Sequence, residues 1–123
     1  MADMLHDDIL DAALAVLDNT EKLVILSADP GLTWANIATY KLGEKATPTI
    51  GAVEDRTGGG RKRTVSAITD GSVTATGTAT HFALTDDSAT KILATGDLSA
   101  SQGVTSGNTF TLTAFDIGIP DPA

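Results

Sequence analysis

Hydrophobic spacing divides the chain into an initial helical stretch and a long remainder that alternates. Leu5, Ile9, Ala12, Ala13, Val16 and Leu17 recur at helical spacing, which predicts an amphipathic helix over 3–18. Asp3 is its expected N-cap and Asn19 its expected stop. Leu10 and Leu14 widen the apolar stripe, so the helix can cover its own sheet or pack on a neighbouring subunit. Lys22–Ser27 is a short apolar run and predicts a buried strand. Asp29-Pro30-Gly31 then breaks the chain. Thr33–Ala38 predicts a short helix with Thr33 as N-cap, followed by an extended segment to Lys45.

Thr47–Val53 is extended but carries Pro48, which suits an edge strand or an irregular run. Glu54–Arg63 is polar, and Gly58-Gly59-Gly60 predicts flexibility there. From Ser72 to Thr85, threonine alternates with small apolar residues, the period of a half-buried strand. Asp70-Gly71 predicts a two-residue hairpin that pairs Ala67 with Thr74, Val65 with Thr76 and Arg63 with Thr78. Asp86–Ala89 is the next predicted turn; it returns the chain through Lys91–Leu98 and brings Phe82 near Leu93. Ser99–Val104 continues the meander, Ser106–Thr109 turns it again, and Thr109–Ile119 is the expected last strand. Alternation changes parity near Thr80-His81 and near Ala114, which predicts bulges at both places, consistent with a sandwich whose strands change sheet. The expected fold is mainly β: an antiparallel sandwich or barrel-like meander with an N-terminal α-helix. The 123 residues suit a single domain, with 1–20 helical, 21–63 mixed, 64–119 the meander and 120–123 a tail.

Composition adds three constraints. The large core candidates are few (Trp34, Tyr40, Phe82, Phe110 and Phe115, with Leu, Ile and Val), and much strand material is Ala or Thr. Small side chains bury little area each, so stability gained partly by assembly into a homo-oligomer is expected. The net charge of −8 argues against nucleic acid and against an anionic membrane surface as partners. The absence of cysteine excludes disulfides and thiolate chemistry.

Candidate chemistry is sparse. Gly58–Thr64 resembles a phosphate loop in composition only, because the required spacing is missing. His6 and His81 sit in different elements without ligand spacing, so no metal is expected. Asp86-Asp87 lacks the spacing of a calcium loop, and no serine lies in a nucleophile elbow. Neither enzymatic activity nor a cofactor is expected. Four of the eight basic residues, Arg56, Arg61, Lys62 and Arg63, cluster in one segment of an otherwise acidic chain, where they suit a contact with an acidic neighbour. The candidate interface therefore comprises Leu5, Ile9, Leu10, Leu14, Val16 and Leu17 on the helix, with Arg56, Arg61, Lys62 and Arg63.

Thr64–Leu84, Leu93–Ser99 and Val104–Leu112 resemble small virion structural proteins of tailed bacteriophages and prophages. Ser27-Ala28-Asp29-Pro30 and Thr33-Trp34-Ala35 are similar to the N-terminal half of the same group. The resemblance implies a non-enzymatic component of a phage particle, located in the virion. Its leading form is a capsid decoration protein, a homo-oligomer with a trimer favoured, whose partners are coat or other virion proteins. A neck, tail or fibre accessory protein is the alternative within the same particle. A carbohydrate-binding β-sandwich is the alternative from another class; the β half supplies only Phe82, Phe110 and Phe115 for it, at core-like positions.

Overall fold

The computed structural model describes residues 6–120. Its fold is mainly antiparallel β with a helix at the start. Contacts group these residues into two compact units that are interleaved in sequence: 6–18, Thr49–Ala67 and 113–120 form one, and Asn19–Pro48 with Ile68–Leu112 the other.

The first unit holds helix α1 (Asp7–Ala15), continued by a 3-10 turn at Val16–Asn19, and a sheet of β3 (Glu54–Asp55), β4 (Arg61–Val65) and β9 (Phe115–Ile119). The order is β3-β4-β9, with Arg63 opposite Ile117 and Val65 opposite Phe115. Asp3 lies outside the described residues. His6 caps α1, its Nδ1 accepting from the Asp8 amide at 3.1 Å. Asn19 ends the 3-10 turn. Ile50 bridges Val65, and Gly51 donates to the Thr64 carbonyl at 2.8 Å, so the proline-bearing segment runs irregularly beside β4.

The second unit holds β1 (Lys22–Leu26), α2 (Ala35–Tyr40), β2 (Lys41–Ala46), β5 (Ile68–Val73), β6 (Gly77–Asp86), β7 (Lys91–Val104) and β8 (Thr109–Leu112). The sheet order is β7-β6-β1-β2-β5-β8. Its two edge strands, β7 and β8, are consecutive in sequence and joined by the turn at 105–108. Gln102 reaches the Thr111 carbonyl at 2.9 Å. The sheet therefore curls until its edges approach, as in a partly open barrel. Leu23, Val24, Ile25 and Leu26 are all buried, as a central strand covered on both faces requires. The helix α2 follows Trp34 rather than the expected Thr33, and no side chain caps it.

Several sequence expectations change here. Asp70-Gly71 is not a hairpin; it lies inside β5, which pairs with β2 and β8, while β4 belongs to the other sheet. The glycine serves close approach instead of a turn: a Cβ at Gly71 would stand 2.3 Å from the Phe110 ring. The alternating run from Ser72 to Thr85 is two strands, broken where the amides of Thr74 and Ala75 both donate to the Leu42 carbonyl. Phe82 faces Gly96 instead of Leu93: the turn at 87–90 leaves Asp86 opposite Lys91, which accounts for two positions, and Leu93 is the extra residue of a bulge between the Thr85–Ile92 and Leu84–Ala94 pairs, which accounts for the third. The shift near Thr80 is present, but the additional residues belong to β7. Thr109–Ile119 is also two strands, and the parity change near Ala114 marks the passage from one sheet to the other. The triglycine segment closes the β3–β4 hairpin: Gly58, Gly59 and Gly60 have φ of 89°, 104° and 95°, and the Arg56 amide donates to Gly60 at 3.1 Å.

Candidate interface and binding surfaces

The helix α1 carries two adjoining apolar stripes. The leucines at 10, 14 and 17 are buried, whereas Ile9, Ala12, Ala13 and Val16 face outward. The sequence pattern put the second set at the centre of the inward stripe; the structure turns the leucines in. Three leucines remove more apolar area from water than an isoleucine, a valine and two alanines do. Ile9 is 56% exposed and Val16 48%, and with the two alanines they occupy positions i, i+3, i+4 and i+7 of one face. Leu5 lies outside the described residues.

The basic segment holds this helix in place. Arg63, only 8% exposed, donates from Nε to the Gly51 carbonyl (2.8 Å) and from Nη1 to the Leu14 carbonyl (3.2 Å). Its Nη1 also lies 2.7 Å from Asp18. Arg61 pairs with Asp11 at 2.8 Å and with Asp55, and these acids hold its proton more firmly than usual. Lys62 is on the opposite face of β4, 3.1 Å from Asp116, and Arg56 donates to the Gly59 carbonyl. Hydrogen bonds from Thr64 and Lys62 lower the pKa of Asp116. The acidic neighbours of Arg61, Lys62 and Arg63 are thus residues of this chain. Of the sequence-predicted interface residues described, the exposed apolar ones are Ile9 and Val16.

The second unit contains a surface hollow of about 220 Å³ that sequence reasoning did not identify. Val24, Trp34, Ile37 and Ala38 line it, and Lys22, Lys41 and Asp87 stand around it. The charged groups form a chain. Lys22 binds Asp87 at 3.0 Å and Glu44 at 3.1 Å, and Lys41 also binds Glu44. The buried Thr85 hydroxyl donates to Asp87 at 2.8 Å, which fixes that carboxylate. Hydrogen bonds to Asp87 and Glu44 raise the pKa of Lys22, and that from Lys41 lowers the pKa of Glu44. Burial pushes Asp87 up, but the bonds from Thr85 and Lys22 outweigh it and its pKa falls. The apolar signal at Trp34 was visible in the sequence. The charged set was not, because 22, 41, 44 and 87 are brought together only by the sheet.

Among the described residues, no three metal-capable side chains cluster, and no helix is long and apolar enough to cross a membrane. Compared with models of protein families, with curated proteins and with solved structures, the chain matches none.

Proposed function

We propose that this chain is a structural protein of a tailed-phage particle, acting as a decoration protein on the head. The sequence resemblance suggests the class. The observation that carries the reading further is the outward stripe of Ile9, Ala12, Ala13 and Val16, on a helix held down by Arg61 and Arg63. A rigid apolar stripe of four modest side chains supplies a small contact. Such a contact becomes effective when many copies meet a repeating surface, because linked or assembled copies bind by avidity. Assembly of the chain into a homo-oligomer, a trimer being favoured, would present several stripes at once.

Quantitative mass spectrometry of purified particles tests this reading. A decoration protein is present in a copy number comparable to the coat protein. A low copy number would move the proposal to the neck, tail or a fibre, and absence from the particle would end it. Particles stripped of the chain should rebind the wild type and fail to rebind Ile9→Asp/Val16→Asp.

A further inference from the structure

We infer that the hollow beside Trp34 is a binding site for one neutral hexopyranose unit, an activity separate from the virion reading. The argument starts from size. About 220 Å³ lies below the roughly 300–1,000 Å³ of sites for drug-sized ligands, so it suits a single ring. The lining then restricts the chemistry. Lys22, Lys41 and Asp87 border the hollow, and Glu44, paired with both lysines from outside it, completes a charged set without net charge, so neither an anion nor a cation is favoured.

The rim also keeps unused hydrogen-bonding capacity of both kinds. An ammonium carries three N–H donors. Lys22 gives two of them to Glu44 and Asp87, and Lys41 gives one to Glu44, which leaves one and two free. Each oxygen of Asp87 accepts one bond, from Lys22 or from Thr85, and each has a second lone pair. Hydroxyl groups, which donate and accept together, match such a rim. The apolar floor includes the indole of Trp34, whose electron-rich face favours the weakly positive C–H groups on one side of a pyranose. The rim is already organised by its ion pairs and by Thr85, so little ordering accompanies binding.

Trp34 is the only tryptophan of the chain, so its fluorescence reports on this hollow directly. The methyl glycosides of glucose, galactose, mannose and N-acetylglucosamine are titrated, with glycerol as polyol control and N-acetylphenylalaninamide as a side-chain probe. At least one glycoside should give a saturable change with Kd on the order of 1–10 mM. Lys41→Met should weaken it by about fivefold or more, as the loss of a charged hydrogen bond does. Ala38→Leu leaves the ion pairs intact and fills the space, and it should abolish binding; circular dichroism confirms that both variants fold. If Lys41→Met does not fold, Ala38→Leu alone decides. No saturation with any glycoside overturns the inference. So does an equal response to glycerol, a response to the phenylalanine amide alone, or unchanged affinity in Ala38→Leu. None of these outcomes bears on copy number in a particle.

Discussion

The two units solve the problem of a thin core differently. In the curled sheet, β1, β5, β6 and β8 bury Leu23, Val24, Ile25, Leu26, Val73, Leu84 and Phe110. Burial of apolar area is the main stabilising term there. The smaller unit buries Leu10, Leu14, Leu17 and Val65, and adds a charged layer: Arg63 and Arg61 tie α1 to β4. The buried guanidinium of Arg63 is stable because it donates to the carbonyls of Gly51 and Leu14 and lies beside the Asp18 carboxylate. Where apolar material runs out, charge-assisted hydrogen bonds hold the helix. The lesson is that a cluster of arginines in an acidic chain need not face outward.

The largest test of this contrast is Phe110→Ala. It should cost the curled sheet about 3–5 kcal/mol through the cavity it leaves, read by denaturant unfolding. Its effect should not depend on salt. A marked salt dependence would break the comparison.

Arg63→Ala should cost about 2–4 kcal/mol, since it removes the charged hydrogen bonds to the carbonyls of Leu14 and Gly51 and the ion pair with Asp18. Hydrogen exchange should show 10–19 losing protection while 22–26 keep theirs. Arg63→Lys should not restore it, because an ammonium lacks the fork that reaches both carbonyls.

Gly71→Ala should cost about 1–3 kcal/mol by overpacking against Phe110. Combined with Phe110→Ala it should cost less than the sum, because the alanine then has room. Additive costs would show that the strained contact is elsewhere.

The pH dependence sharpens the charged part of the larger unit. Glu44 and Asp87 have lowered pKa values, so their contribution is present above the ordinary carboxylate range and lost as pH falls through their lowered values. Lys22 is raised above 10.5, so its contribution is present below that value and lost as pH rises past its raised value. Thermal melts should fall at both limits by an amount on the order of 1 kcal/mol after screening, and Lys22→Met should flatten both limbs.

The smallest effect belongs to Ile9→Asp and Val16→Asp, which should change stability by no more than about 0.5 kcal/mol. A large loss would mean that this stripe is already covered within the chain.

Local signals made much of the fold legible. The fully apolar Leu23–Leu26 reads as a covered strand, and it is one. The turns after Asp86 and after Val104 carry their own chemistry, and Gly107 has the positive φ (91°) that its position implied. The parity change near Ala114, where the sequence predicts a bulge, falls where β8 of one sheet ends and β9 of the other begins. The hollow was half legible, through Trp34.

Other features depended on what lies across the sheet. Asp70-Gly71 satisfies every local rule for a hairpin, yet the Phe110 ring needs the space over Gly71 and the strand continues. The break at Thr74-Ala75 follows from a carbonyl on β2, that of Leu42. The inward face of α1 and the partners of Arg61 and Arg63 follow from β4. Periodicity reports the conformation of a segment, because side-chain direction is set by local dihedrals. Which residue fills a gap, or which carboxylate meets an arginine, is set by strands distant in sequence. The sequence alone therefore determined the two helices, the covered strand β1, the turns after Asp86 and Val104 and the β character of the rest. Tertiary structure decided the strand order, the buried face of the helix and the site beside Trp34.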